Sequence, residues 1–203
     1  MSSASTGHTP STPVTPGSSQ PRTAVVFGAS GFIGRWLVKE LLNQGVTTTA
    51  VVRSDTSAAH LLGWLDEHDV RTRPETVQGD FDRHDFGWSD GGAPVATEVY
   101  NMAGAYAFGM TTDQARSANV DTSRRIVAFA ATLPDLVRLV HLSGYRVGGQ
   151  DPTSVPWTAK RISQEYRRLG AYEASKVESD AVVQAEAARL GSVDDSEPVD
   201  RHW

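Results

Sequence analysis

Two hydrophobic periods alternate along the chain, and together they predict strands and helices in turn. Short runs of apolar and β-branched residues predict five buried strands, at 23–27, 46–52, 75–78, 98–102 and 136–142. Apolar positions at helical spacing predict four helices, one from Phe32 to a stop at Gly45 and others at 56–66, 113–131 and 171–190. Because strands alternate with helices, the pattern predicts an α/β fold with a doubly wound parallel sheet.

The segments outside these elements are polar. Residues 1–22 are mostly Ser, Thr, Pro and Gly, which predicts a disordered tail. Clusters of Pro, Gly and Asp at 90–94 and 148–156 predict loops. Residues 191–203 are acidic and hold no apolar run, so we expect an irregular tail there. The chain is therefore expected to form one domain, at 23–190.

Composition excludes several classes of function. The chain has 203 residues and a formal net charge of -5, and its Lys and Arg residues form no block, so we expect no nucleic-acid partner. No apolar run approaches the roughly 20 residues that a membrane span needs. The sequence has no cysteine, which excludes thiolate metal sites and a cysteine nucleophile and fits a reducing cytoplasm. We expect a cytoplasmic protein that acts on a small molecule.

A glycine-rich turn between the first strand and the first helix carries the first chemical signal. Gly28 permits a tight turn, Gly31 lets the backbone approach a pyrophosphate, and Gly34 lets the helix pack close to the strand. The N-terminus of the helix offers free N–H groups and a partial positive charge to that anion. The alternative is a glycine-rich turn without a ligand. The strand–turn–helix context favours a Rossmann-type dinucleotide site with contacts from Gly28, Ser30, Gly31, Phe32, Ile33 and Gly34.

The Gly-x-x-Gly-x-x-Gly spacing resembles that of the short-chain dehydrogenase/reductase superfamily. The turn is most similar to that of the extended branch, which includes sugar-nucleotide epimerases and dehydratases and dihydroflavonol-type reductases. The resemblance implies that Asp80 contacts the adenine of the cofactor while Phe81 packs on the ring. It also implies that Ala103 and Gly104 let the cofactor lie against the backbone, and that Asn119 supports the backbone of the active site. Taken alone, Asp80 and Asn119 would be a loop carboxylate and a capping or surface residue.

The end of the second strand bears on the choice of nicotinamide cofactor. NAD-selective sites usually place an acid there to accept from the ribose 2′-hydroxyl, whereas this chain has Arg53 followed by Ser54. A guanidinium can form a charge-assisted pair with a 2′-phosphate, so we expect NADP. A solvated arginine at a strand end is the alternative, and Asp55 keeps NAD open.

A tyrosine and a lysine four residues apart are the most specific chemical signal. Tyr172 and Lys176 project from the same face of the last predicted helix. A neighbouring ammonium stabilises a phenolate and so makes the phenol a better acid–base group near neutral pH. The resemblance implies that Tyr172 exchanges a proton with the substrate, that Lys176 is its electrostatic partner and holds the nicotinamide ribose, and that a hydroxyl after the fifth strand binds the substrate oxygen. Ser143 is our candidate for that hydroxyl, although it could simply end the strand, and His141 is interpreted as a packed core residue rather than a base.

These signals favour an NAD(P)-dependent oxidoreductase or epimerase/dehydratase that moves a hydride at a carbonyl or hydroxyl carbon. The alternative is a dinucleotide-binding or redox-sensing protein without chemistry. Arg53 favours a reductase slightly, and no residue names the substrate. The resemblance also implies pairing into a homodimer through the helices at 113–131 and 171–190.

Extended relatives continue into a sixth strand, a substrate loop and a smaller lobe, which residues 191–203 do not resemble. We therefore expect an incomplete sheet, no substrate lobe, and weak or no turnover by this chain alone. Codons for residues 193–203 can be chosen so that reading one base later gives Ser-Thr-Ile-Val-Asn-Pro-Ser-Thr-Val-Ile-Gly, which looks like the sixth strand and its loop. This is the hypothesis of a frameshift near Ser192, which the coding DNA would test.

Overall fold

The computed structural model describes residues 21–88, 91–147 and 154–191, and strands and helices alternate over most of it. The elements are β1 (Thr23–Phe27), α1 (Phe32–Asn43), β2 (Thr47–Val52), α2 (Asp55–Glu67), β3 (Glu75–Gln78), β4 (Glu98–Asn101), α3 (Thr112–Ala115), a π-helical segment (Arg116–Asp121), α4 (Thr122–Ala131), β5 (Arg138–His141), α5 (Ala159–Leu169) and α6 (Ala171–Gly191). The tails predicted at 1–22 and 191–203 lie almost wholly outside the described residues, as do parts of the two predicted loops.

The five strands form one parallel sheet in the order β3-β2-β1-β4-β5. Chain order reverses beside β1, because β2 pairs with one edge of β1 and β4 pairs with the other. In sheets of this kind the crevice at that switch point, beyond the carboxyl ends of the strands, is where ligands bind. Phe27 at the end of β1 lies in register with Val51 and Asn101, so the three central strands end together. The predicted doubly wound fold is confirmed.

The hydrophobic core lies on both faces of the sheet because successive strand residues point to opposite faces. Val25 and Phe27 pack with α4 on one face, whereas Ala24 and Val26 pack with α1 and α2 on the other. All four residues are buried. A third apolar cluster lies between α5 and α6 and includes Trp157.

Within residues 21–88, 91–147 and 154–190, two acidic side chains are buried, and each is paired. Glu98 in β4 accepts from Arg22 at 2.7 and 3.0 Å and from the Tyr100 hydroxyl at 2.6 Å. The hydrogen bond from Arg22 is the main reason why the pKa of Glu98 lies below its ordinary value. In α6, the carboxylate of Glu178 accepts from Arg116 and from the Tyr166 hydroxyl, which joins the π-helical segment to α5 and α6.

The structure differs from the sequence-based expectation in two helices. The helix predicted at 113–131 is interrupted by the π-helical segment, which buries Asn119 and Val120. α5 lies in a strongly charged segment over which no helix is predicted from the sequence. Its apolar signal consists of Ile162, Tyr166 and Leu169, at positions i, i+4 and i+7 of one helix face.

The ends of three strands also differ from the expectation. β2 begins at Thr47 rather than at residue 46, and β4 ends at Asn101 rather than at 102. β5 spans four residues rather than seven, because both Val137 and Arg138 donate to the carbonyl of Thr97 and regular pairing starts only there. Apolar residues beyond a strand's ends extend the hydrophobic run without joining the ladder.

Candidate active site

The glycine turn after β1 is closely fitted to the backbone around it. Gly28 has a φ of +75°, and a Cβ there would lie 2.7 Å from the backbone N of Ala103 in the turn after β4. A Cβ on Gly34 would lie 2.1 Å from the carbonyl oxygen of Gly28. A side chain at either position would therefore push α1 or the turn after β4 away from β1, as the sequence analysis expects for this turn.

The N-terminus of α1 has no anionic or side-chain partner of its own. Gly31 is the N-cap and supplies no side chain, and the first turn of α1 contains no acidic residue. The first N–H groups of a helix lack acceptors within the helix. Phe32 and Ile33 are exposed, and neither is among the residues that line the crevice described below, so their contribution to a pyrophosphate site would come from backbone N–H groups. This geometry suits a bound anion.

A crevice of about 990 Å³ opens beyond the carboxyl ends of the central strands, at the switch point of the sheet. Its lining contains eight of the predicted cofactor contacts, which come from the turns after β1 to β4: Gly28, Ser30, Gly31, Arg53, Asp80, Phe81, Ala103 and Gly104. A crevice of this size accommodates a dinucleotide-sized ligand.

The residues at the end of β2 have separate roles. Arg53 is exposed and lines the crevice. Ser54 is the N-cap of α2, where its hydroxyl accepts from the N–H of Ser57. The carboxylate of Asp55 accepts from the side-chain amide of Gln78 at 2.5 Å. Asp55, the acid that would be compatible with NAD, is therefore hydrogen-bonded to β3. The guanidinium of Arg53 is the charged group that this turn presents to the crevice.

Asp80 and Phe81 shape the far wall of the crevice. The carboxylate of Asp80 accepts from the backbone N–H of Asp82 at 3.0 Å, which stabilises the turn after β3. The ring of Phe81 packs edge-on against Phe27, with ring centroids 6.2 Å apart. Arg125 in α4 donates to the carbonyl of Phe81 and fixes the backbone between these side chains.

Asn119 ties the turn after β4 to α6. Its side-chain oxygen accepts from the N–H of Ala105 at 2.8 Å, and its amide donates to the carbonyl of Ala105 and to the hydroxyl of Ser175. Ser175 in turn donates to the backbone carbonyl of Tyr172 at 2.7 Å. One buried amide therefore connects the crevice wall to the first turn of α6, where Tyr172 lies.

The predicted catalytic residues lie beside the crevice rather than in its lining. Tyr172 packs edge-on against Tyr106, which does line the crevice, with ring centroids 4.9 Å apart. Lys176 is buried, and its ammonium donates to the carbonyl of Leu142 at 2.7 Å. Burial holds the pKa of Lys176 below its ordinary value, and the opposing effect of Asp180 is smaller. A Cβ on Gly104 would lie 3.9 Å from the Lys176 ammonium, so the crevice reaches this cation.

Ser143 comes two residues after β5, next to Leu142, whose carbonyl accepts from Lys176. Its hydroxyl oxygen is buried and has no hydrogen-bond partner among the residues that the structure describes. A Cβ on the next residue, Gly144, would lie 3.1 Å from the Cβ of Lys176. An unpaired buried hydroxyl costs free energy, and a ligand oxygen would relieve that cost.

A polar network behind the crevice contains His141, which the sequence analysis interpreted as a packed core residue. The amide oxygen of Asn101 accepts from the N–H of Ala103, so its amide nitrogen faces the Nδ1 of His141 at 2.9 Å. The Nδ1 atom is therefore the acceptor and the ring proton lies on Nε2, which is 3.5 Å from Ser179 Oγ. Burial lowers the pKa of His141 to about 4, and the Lys176 cation acts in the same direction. His141 is a neutral structural residue.

Tyr106 is a site residue that the sequence analysis missed. It lies five residues after the end of β4, is 61% exposed, and contacts both Tyr172 and Phe108. Its signal was an exposed aromatic pair in a turn of small residues, where apolar side chains have no core to enter.

The fold and the crevice define a dinucleotide-binding Rossmann domain. The family model described as Male sterility protein, an NAD-binding family, matches residues 26–193. The chain belongs to this family and, with it, to the extended short-chain dehydrogenase/reductases, which confirms the resemblance drawn from the glycine turn. In the part of the chain that the structure describes, no helix has the length and apolarity needed to cross a bilayer.

One curated protein and two solved structures show what the chain is similar to. Dihydroflavonol 4-reductase from Dianthus caryophyllus is 34% identical over 84 residues, which are 41% of this chain and 23% of the reductase. Gre2 from Candida albicans, solved as an NADPH complex, has a TM-score of 0.64 at 18% identity and aligns over 87% of this chain and 55% of its own. A UDP-galactose 4-epimerase has a TM-score of 0.58 at 18% identity, over 83% of this chain and 52% of its own. The chain thus spans about half the length of these solved structures.

Proposed function

We propose that the chain binds NADP(H) in the crevice and that Tyr172 exchanges a proton with a carbonyl or hydroxyl group of a small-molecule substrate. The observation that carries the proposal is the continuity of one crevice, from the glycine turn at Gly28 to Tyr106, which contacts Tyr172. A dinucleotide with its pyrophosphate at α1 has space to extend toward α6 along this path.

The residues present fit such a cofactor. Gly28 lets the turn after β1 lie against the turn after β4, and Gly34 lets α1 lie against Gly28. The first turn of α1 contains no acidic residue that would compete with a pyrophosphate. Arg53 would hold a 2′-phosphate, and Asp80 with Phe81 would hold the adenine end. Lys176 would hold the ribose next to the nicotinamide by exchanging its bond to the Leu142 carbonyl for one to a hydroxyl.

A nicotinamide cofactor, when bound, would supply the hydride that reduces the carbonyl carbon of the substrate. Tyr172 then donates its phenolic proton to the carbonyl oxygen, so that the carbonyl becomes an alcohol. The Lys176 cation stabilises the phenolate that remains. Ser143, whose hydroxyl lacks a partner among the described residues, donates a hydrogen bond to the same oxygen and positions it. Arg53 favours a reductase over an epimerase or dehydratase, because reductive enzymes commonly use NADPH.

A non-catalytic dinucleotide-binding protein is the second candidate function. The observation that favours it is the Lys176 ammonium, which is already satisfied by the carbonyl of Leu142 and is buried. A cation held in this way could stabilise the end of β5 without taking part in a reaction.

Cofactor binding and turnover separate the two candidates. NADPH is titrated by fluorescence into the native chain and into Arg53→Gln, which we expect to weaken NADPH binding roughly ten-fold while NADH binding is unchanged. Arg71→Gln is the matched control, because Arg71 is an exposed arginine outside the crevice lining. Equal NADPH affinity in Arg53→Gln and the native chain would contradict the proposed role of Arg53.

Turnover is measured as NADPH oxidation with a panel of small aldehydes and ketones. We expect Tyr172→Phe to lower the rate about 100-fold or more without changing NADPH affinity. Tyr100→Phe is the control, since it also removes a tyrosine hydroxyl, but one that is bonded to Glu98 and lies outside the crevice lining. A native chain that binds NADPH without turnover, and is indifferent to Tyr172→Phe, would favour the non-catalytic candidate.

A further inference from the structure

A second, smaller cavity lies between the segment after β5, α5 and α6. It has a volume of about 280 Å³ and is lined by Arg146, Trp157, Arg161, Glu165, Arg168, Leu169 and Val177. None of these residues lines the cofactor crevice. The lining carries three guanidinium groups and one carboxylate, a formal charge of +2.

The charge in this cavity is held in fixed positions. The guanidinium of Arg161 lies 4.4 Å from the ring centroid of Trp157, and that of Arg146 lies 5.0 Å from the ring of Tyr145. Arg168 forms a 2.6 Å ion pair with Glu165, the one carboxylate of the lining. Stacked arginines present their N–H edges in one plane, which is the geometry that binds carboxylate and phosphate oxygens in pairs.

The indole of Trp157 is an independent sign of a missing ligand. Trp157 is 4% exposed, and its Nε1–H is buried without a hydrogen-bond partner among the described residues. A buried donor that is left unpaired costs free energy. By contrast, Trp88 satisfies its indole N–H on the carbonyl of Gln78. The unpaired donor and the three guanidiniums together select an acceptor that carries negative charge.

The cavity adjoins the candidate catalytic residues along the chain. Val177 follows Lys176 in α6, and Arg146 comes three residues after Ser143. We propose that this cavity binds an anionic group, a carboxylate or a phosphate, and that this group belongs to the substrate. The proposal rests on the proposed function and narrows its substrate class to carbonyl compounds or alcohols that carry a negative charge at a distance from the reacting carbon.

Nuclear magnetic resonance of the indole N–H groups tests the proposal directly. The full chain, without dinucleotide, is titrated with inorganic phosphate at constant ionic strength, and Trp157→Phe identifies the Trp157 signal. We expect the Trp157 indole signal to move in a saturable manner while that of Trp88 stays fixed. Acetate is titrated in parallel, and the anion that binds more tightly identifies the group as phosphate or carboxylate.

Two arginine variants show whether the anion binds in this cavity. Arg168→Gln should weaken anion binding roughly ten-fold. Arg189→Gln should leave it unchanged, because Arg189 forms the same i,i+3 pair with Glu186 on the surface of α6 but lies outside the cavity. A Trp157 signal that does not move with either anion, or moves equally in both variants, overturns the inference.

NADPH affinity, measured on the same samples, distinguishes this failure from failure of the proposed function. If the chain binds NADPH but no anion, only the proposal that the cavity binds an anion is overturned. Intact anion binding without NADPH binding overturns the dinucleotide site and, with it, the assignment of the anion to a substrate of that site.

Discussion

The ammonium of Lys176 donates to the backbone carbonyl of Leu142 across 34 residues of sequence, and this bond fixes α6 against the end of β5. It places a buried cation beside Ser143 and close to Gly104 on the wall of the crevice. The same cation lowers the pKa of His141, which lies on β5 one residue before Leu142. Position and charge around the candidate active site are therefore set by one contact between two distant elements.

His141 gives the fold a dependence on pH. Its pKa is about 4 in the folded chain and 6.5 ordinarily, so the unfolded chain binds the extra proton first as pH falls. Stability from this residue is complete above about pH 6.5 and declines as pH falls toward 4, by up to about 3 kcal/mol. Urea unfolding of the native chain and of His141→Gln at pH 7.5 and 4.5 measures this change in the free energy of unfolding.

We expect the loss of stability between the two pH values to be smaller in His141→Gln, whose side-chain oxygen can still accept from Asn101. His84→Gln is the control, because His84 is exposed and should leave the pH dependence unchanged. Identical pH dependence in all three proteins would mean that the pKa of His141 is the same in the folded and the unfolded chain.

We expect substitution by alanine to have opposite effects at Gly34 and at Gly63. Gly34→Ala places a Cβ against the carbonyl oxygen of Gly28, which is backbone and cannot move without displacing α1. We expect it to cost about 3 kcal/mol and to abolish dinucleotide binding. Gly63 is a helical glycine in α2 with open space around it, so Gly63→Ala should stabilise the chain by about 0.5–1 kcal/mol. Thermal and urea unfolding of both variants measure the difference, and a neutral Gly34→Ala would contradict the closely fitted turn.

Local signals account for what the sequence could predict. The glycine turn could be predicted from Gly28, Gly31 and Gly34 alone, because a tight turn followed by a helix depends on only seven consecutive residues. The order of strands and helices likewise follows from periodicity, which is why the doubly wound sheet was predictable. The placement of Tyr172 beside Tyr106 was not, since it depends on how α6 packs against the turn after β4.

Other features depend on contacts between distant segments. The role of Asn119 came from the resemblance, and its hydrogen bonds to Ala105 and Ser175 become visible only in three dimensions. Nothing local distinguishes Glu178 from the other acids of α6 either, although it is the one that pairs with Arg116. α5 was not predicted because charged residues outnumber the few apolar residues on its one buried face.

Loss of the charge on Glu178 should cost far more stability than loss of a surface charge on the same helix. Its side chain is 2% exposed and pairs with Arg116, and it also accepts from Tyr166. Glu178→Gln keeps an acceptor for the tyrosine but leaves Arg116 without its carboxylate, so we expect a loss of about 2–4 kcal/mol. Glu186→Gln, which breaks the surface pair with Arg189, should cost less than about 0.5 kcal/mol. Chemical denaturation compares the two, and equal losses would show that burial of Glu178 does not matter.

Asn119 should control both stability and the shape of the crevice. Asn119→Ala removes three hydrogen bonds and leaves the N–H of Ala105 unpaired, so we expect a loss of about 2–3 kcal/mol. Because the turn after β4 would then be released from α6, NADPH affinity should fall as well. Asn43→Ala is the matched control: Asn43 is the exposed last residue of α1, and its loss should change neither quantity. If Asn119→Ala lowers stability while NADPH affinity is retained, the amide supports the fold without shaping the crevice.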